Sequence, residues 1–93
     1  MIRKEKNDMQ NKYIDVMVKN MPVLRTSIRM TQAQLSEKVG VSRQTIVAIE
    51  TKKRTMPWTL YLAIVHIFQQ YEDSKVLMEN FNLYNAEFIK EIF

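Results

Sequence analysis

The chain has 93 residues, of which 46% are hydrophobic, with one Gly, two Pro and no Cys. That length suits one domain with a modest core, too small to enclose a large substrate cavity, and the lack of Cys excludes disulfides and thiolate metal sites. Gly and Pro fall far below their usual shares of about 7% and 5%, so a turn-rich β architecture is excluded and a nearly all-helical chain is expected. The net charge of +4 is unevenly spread. Residues 1–58 carry 12 Lys+Arg against 5 Asp+Glu, and residues 59–93 carry 2 against 5. A basic front and an acidic back suit a protein that offers one side to a polyanion. There is no apolar run near 18 residues and no signal-peptide core after Met1, so a cytoplasmic location without membrane association is the expectation.

Taken in chain order, residues 1–8 (MIRKEKND) are polar and are expected to fray. Met9, Tyr13, Val16 and Met17 recur at helical spacing and predict a short helix over 9–19. Asn20 and Pro22 predict a break and a restart, because Pro is tolerated only in a first helical turn. The next helix is predicted from Met21 to Arg29, with Val23, Leu24 and Ile28 on one side. Thr31 then caps a new helix. Gln34 three residues later completes a capping box, and Met30 with Leu35 forms a hydrophobic staple. Gly40 supplies a left-handed turn. Ser42 caps the following helix, with Val41 and Ile46 as its staple. Two short helices joined by a tight turn are therefore expected between Thr31 and Glu50.

A basic loop, TKKRTMP, covers 51–57. A helix from Trp58 to Gln70 follows, with Leu60, Ala63, Ile64, Ile67, Phe68 and Tyr71 on one face and Trp58, Leu62 and Val65 nearly opposite. An element apolar on two sides is buried on two sides. Ser74 is expected to cap a helix to Phe81, and Asn85 one from Ala86 to Ile92. His66 lies off both apolar stripes and reads as a surface histidine, Trp58 as a packing anchor, and the methionines as core filler. The organisation expected is an N-terminal extension over 1–20, partly helical; a helix-turn-helix domain over 21–71; and C-terminal helices over 72–93 that close the core or make a dimer interface.

With Ile46 set at the centre of the buried side of its helix, Ile49 falls beside it, while Gln44, Val47, Ala48 and Thr51 point outward and Arg43 flanks the first turn. The major groove admits one helix and shows each base pair as a distinct pattern of donors and acceptors. Gln pairs with adenine, Arg pairs with guanine, and Val or Ala packs on a thymine methyl, so Arg43, Gln44, Val47 and Ala48 are the candidate base readers. A well-made bidentate contact discriminates by about 1–3 kcal/mol. Gln32 at the first turn of the preceding helix, with Thr31, can hold a phosphate at a helix N-terminus. Ser42, Lys52, Lys53 and Arg54 complete the candidate phosphate set, with Arg29 a further possibility. Such contacts fix register and make binding salt-dependent.

These residues resemble the Xre/Cro–CI family of helix-turn-helix regulators. The matching elements are Thr31-Gln32, Leu35, Val39-Gly40-Val41, Ser42, Gln44-Thr45-Ile46, Ile49-Glu50 and Pro57 after a basic loop, within residues 21–70. The resemblance implies an all-α, lambda-repressor-like five-helix DNA-binding domain, here with an extra N-terminal helical extension and C-terminal helices. It also implies a homodimer on a palindromic double-stranded DNA site, usually for repression, with no cofactor. It further implies that Gln32 braces Gln44 and that Arg25 pairs with Glu50 across two helices. Ser36 stands where the family usually has Ala, and Lys52 where it often has Gly. No sensor segment is evident, so a small-molecule effector is unsupported. The competing reading is a protein-interaction module, such as an antitoxin or assembly subunit, using Trp58, Leu62, Val65, Val76, Leu77, Phe81, Phe88, Ile89, Ile92 and Phe93. One His, no Cys, no phosphate-cradling Gly loop and no paired carboxylates argue against an enzyme.

Overall fold

A computed structural model describes the backbone of residues 2–92 and the side chains of residues 8–91. The described residues form six helices and no strand: α1 (Ile2–Ser27), α2 (Gln32–Val39), α3 (Arg43–Glu50), α4 (Trp58–Phe68), α5 (Glu72–Asn80) and α6 (Ala86–Ile92). The break expected at Asn20 and Pro22 does not occur. A single 26-residue helix begins at Ile2 and carries Pro22 in its interior. Pro22 lacks the N–H that would bond the Val18 carbonyl, a defect that ordinarily kinks or ends a helix. The helix continues because the face formed by Tyr13, Ile14, Met17, Met21 and Leu24 is buried without interruption across that point. Packing of a five-residue apolar stripe outweighs one missing hydrogen bond. Asn20 does not cap; its side-chain amide donates to the Val16 carbonyl at 2.8 Å. Val23, expected inside, is half exposed at 51%.

The two short helices form where capping chemistry places them. The Thr31 hydroxyl accepts from the Gln34 N–H at 3.0 Å, and the Gln34 side chain accepts from the Thr31 N–H at 2.9 Å, completing the box. Gly40 closes α2 at φ 79°. The Ser42 hydroxyl accepts from the Thr45 N–H at 3.1 Å and opens α3. Ser36 is buried, and its hydroxyl donates to the Ala33 carbonyl at 2.7 Å, so the polar atom is satisfied within its own turn.

Three further helices end with a left-handed residue that is not Gly. In α1 the Met30 N–H bonds the Arg25 carbonyl and the Arg29 N–H bonds the Thr26 carbonyl, with Arg29 at φ 55°. In α3 the Lys53 N–H bonds the Ala48 carbonyl and the Lys52 N–H bonds the Ile49 carbonyl, with Lys52 at φ 63°. In α5 Leu83 and Asn82 bond Met78 and Glu79 in the same way, with Asn82 at φ 59°. Each is a Schellman closure. A chain with one glycine thus places Arg, Lys and Asn where Gly would be unstrained.

The C-terminal helices complete the core around α1 and α4. Met78, Leu83 and Phe88 are fully buried. The Tyr13 ring meets Phe88 edge-on at 4.8 Å, and its hydroxyl donates to Glu91 at 3.2 Å. Tyr61, which the two-stripe reading of α4 left out, is fully buried; its ring stacks on Trp58 at 4.7 Å and its hydroxyl donates to the Leu83 carbonyl at 2.9 Å. Ser74 does not cap α5. It lies inside the first turn, fully buried, and its hydroxyl donates to the Phe68 carbonyl at 2.6 Å, tying α5 back to the end of α4. Asn85 does cap α6, accepting from the Phe88 N–H at 2.8 Å.

Candidate nucleic-acid interface

The Glu50 carboxylate joins three helices at the end of α3. Arg25 of α1 grips it in bidentate fashion, Nε to Oε2 at 2.7 Å and a terminal nitrogen to Oε1 at 2.8 Å, with the two side chains only 13% and 5% exposed. Arg25 also donates to the Met30 carbonyl at 3.1 Å. From the first turn of α2, the Gln32 amide donates to Glu50 Oε1 at 3.2 Å. Among the described residues Gln32 makes no hydrogen bond to Gln44, so the bracing that the resemblance implied is not formed. The Gln32 amide N–H goes instead to a charged acceptor, and a charge-assisted bond is stronger than a neutral amide pair. The start of α2, the end of α3 and the end of α1 are held in one fixed arrangement.

That clamp leaves the other side of α3 open. Ile46 and Ile49 are fully buried against the core, while Arg43 and Gln44 are exposed and Val47 and Ala48 half-buried. Among the described residues, neither the Arg43 nor the Gln44 side chain makes a hydrogen bond. The outward side of α3 is thus a free guanidinium and a free amide beside two small apolar side chains. Thr51 is turned inward on its own helix, its hydroxyl donating to the Val47 carbonyl at 2.8 Å.

Cations and hydroxyls flank this surface. Thr31 and Ser42 are exposed at the starts of α2 and α3 with both hydroxyls engaged in capping, and Gln32 is half-buried against Glu50. Lys52, Lys53 and Arg54 are all exposed in the loop after α3. The Arg54 guanidinium folds back to the Thr45 hydroxyl at 3.3 Å, which in turn meets the Ser42 hydroxyl at 2.9 Å. Lys19 of α1 shares a groove with Lys52 and Arg54. Sequence reasoning did not single out Lys19, because the expected break at Asn20 placed it outside the domain; only the continuity of α1 through Pro22 brings it beside this surface.

A helix-turn-helix family model matches residues 24–57. This segment, which spans the end of α1 through the loop after α3, is thus similar to an Xre/Cro–CI-type helix-turn-helix, and the described residues around it hold helices and no strand. No curated protein and no solved structure matched the chain significantly. No helix among the described residues is long and apolar enough to cross a membrane.

Proposed function

We propose that the protein is a sequence-specific repressor that inserts α3 into the major groove of double-stranded DNA and binds a palindromic site as a homodimer. The observation that carries this reading is the combination of a pinned helix and an unengaged face. Glu50 locks α3 to α1 and α2, while Arg43 and Gln44 face solvent with their donors and acceptors unused. A side chain held in place but left unpaired is prepared for an external partner, and the partner that presents matching edges to a helix is duplex DNA. Arg43, Gln44, Val47 and Ala48 are the base readers in this proposal. Thr31, Gln32, Ser42, Lys52, Lys53 and Arg54 are the phosphate contacts, with hydroxyls and amides at the starts of α2 and α3 on one flank and the basic loop on the other.

The interaction-module reading draws on C-terminal apolar residues, but Phe88 is fully buried in the chain's own core, and Leu77 and Phe81 pack on that core. Fewer apolar side chains remain for a partner. The test is selection of bound sequences from a random DNA pool at stated salt, followed by footprinting. The expected result is a two-fold symmetric site with half-sites about one helical turn, roughly 34 Å, apart. Enrichment of no sequence would overturn specific recognition, and an asymmetric footprint would overturn the dimer.

A further inference from the structure

An open groove of about 460 Å³ runs between α1 and the end of α3 with the loop that follows it, away from the base-reading side of α3 and reaching α3 only at Ile49. Its floor includes the buried side chains of Ile14 and Met56; Asp15 and Lys19 of α1 stand on one wall, and Lys52 and Arg54 on the other. We infer that this groove extends the DNA interface onto α1, with Lys19 and Lys52 together holding a phosphate of the duplex backbone beside the major groove. The inference rests on the DNA-binding function proposed above and adds a contact element to it.

Three observations carry it. Lys19 and Lys52 are both exposed, and among the described residues neither forms an ion pair, so two like charges border one groove with no internal counter-charge bound to them. Like charges facing one cleft focus potential and attract an anion. Lys52 adopts φ 63°, a left-handed conformation that a side chain disfavours and Gly does not. A strained position occupied by a long cationic side chain points to use of that side chain. Finally, Arg25 on the same unbroken helix as Lys19 is bonded to Glu50 on α3, so the α1 wall keeps a constant relation to the recognition helix. An ammonium on α1 therefore arrives at the duplex in register with α3. Asp15, one turn before Lys19, places a negative charge in the same groove and weakens the attraction for a phosphate.

The experiment is fluorescence anisotropy titration of the full chain with two labelled duplexes, the selected site and a scrambled sequence, across a salt series. Lys19→Gln should weaken binding to both duplexes and reduce the slope of log affinity against log salt by about 0.9, the share of one phosphate contact. Lys52→Gln should do the same, and because the two ammoniums serve one phosphate the double variant should lose little more slope than either single variant. Lys75→Gln on α5 should leave the slope unchanged, and Asp15→Asn should tighten binding to both duplexes. Lys52→Gly should raise the midpoint of urea unfolding while lowering affinity, separating the strain from the contact. An unaltered slope for Lys19→Gln, with helicity intact by circular dichroism, would remove α1 from the interface. Failure of the unsubstituted chain to bind either duplex would instead overturn the DNA-binding reading itself.

Discussion

Arg25 and Glu50 show how a charged pair can be structural without being favourable in isolation. The pair is nearly enclosed and bonded in bidentate geometry. Breaking a buried pair leaves an uncompensated charge and costs about 3–5 kcal/mol, whereas replacing both partners with apolar residues of similar size is often neutral. Arg25→Met should therefore destabilise the protein by about 3 kcal/mol in urea unfolding, and Arg25→Met with Glu50→Met should recover most of that loss. Equal destabilisation by the single and double variants would show that the charges do not compensate each other. Gln44 has the opposite role. It is exposed, so Gln44→Ala should leave unfolding unchanged while reducing the preference for the selected duplex over a scrambled one by about 1–3 kcal/mol. Equal loss on both duplexes, measured by competition titration, would exclude base readout at this position. Much of this residue-level detail was legible in the sequence, because Arg25, Gln32 and Glu50 sit at motif spacing. The partner of Gln32 was not legible: its choice of Glu50 over Gln44 depends on a distance between helices that no local pattern encodes.

At the scale of elements, local chemistry predicted the caps that open α2 and α3 and the turn between them. Thr31, Gln34, Gly40 and Ser42 act through hydrogen bonds to backbone groups at most four residues away. Such interactions depend on the adjoining sequence alone. The fate of Pro22 and of Ser74 was not legible for the converse reason. Pro22 stays helical because distant side chains bury the stripe it interrupts, and Ser74 abandons the capping position to satisfy the Phe68 carbonyl. Both outcomes depend on tertiary packing. The three left-handed helix ends make a further prediction. Arg29→Gly should stabilise the protein by about 1 kcal/mol, since Gly relieves the left-handed strain, while Asn82→Gly should give a smaller gain because Asn tolerates that region better than Arg. Destabilisation by Arg29→Gly in thermal melts would mean that the Arg29 side chain contributes more than its backbone conformation costs.

For the molecule as a whole, the aromatic cluster is the element that unites the first helix with the last. Tyr13, Trp58, Tyr61, Tyr84 and Phe88 pack in mutual contact, and two of the phenols titrate abnormally. Burial, then the hydrogen bond to Glu91 and the nearby carboxylate charges, pushes the Tyr13 hydroxyl up from 10.0 to about 12. Burial, followed by the influence of Tyr13, raises Tyr61 further still. A phenol whose folded pKa lies above its unfolded value loses its proton more readily when unfolded, so stability is intact below the unfolded value and falls as pH rises through the interval to the folded one. The melting temperature of the wild-type protein should therefore decline more steeply than that of Tyr13→Phe from about pH 10 upward. Parallel declines would place the Tyr13 hydroxyl in water.

The same cluster has a consequence for how the protein comes into being. Tyr13 bonds Glu91, 78 positions further along the chain, and Phe88 packs its ring against Tyr13 of α1 and Tyr61 of α4. A nascent polypeptide that already contains both helices of the DNA-binding motif still has an open hydrophobic interior, and long-range closure of that kind is slow relative to helix formation. The proposed DNA binding therefore depends on a chain long enough for α6 to dock against α1.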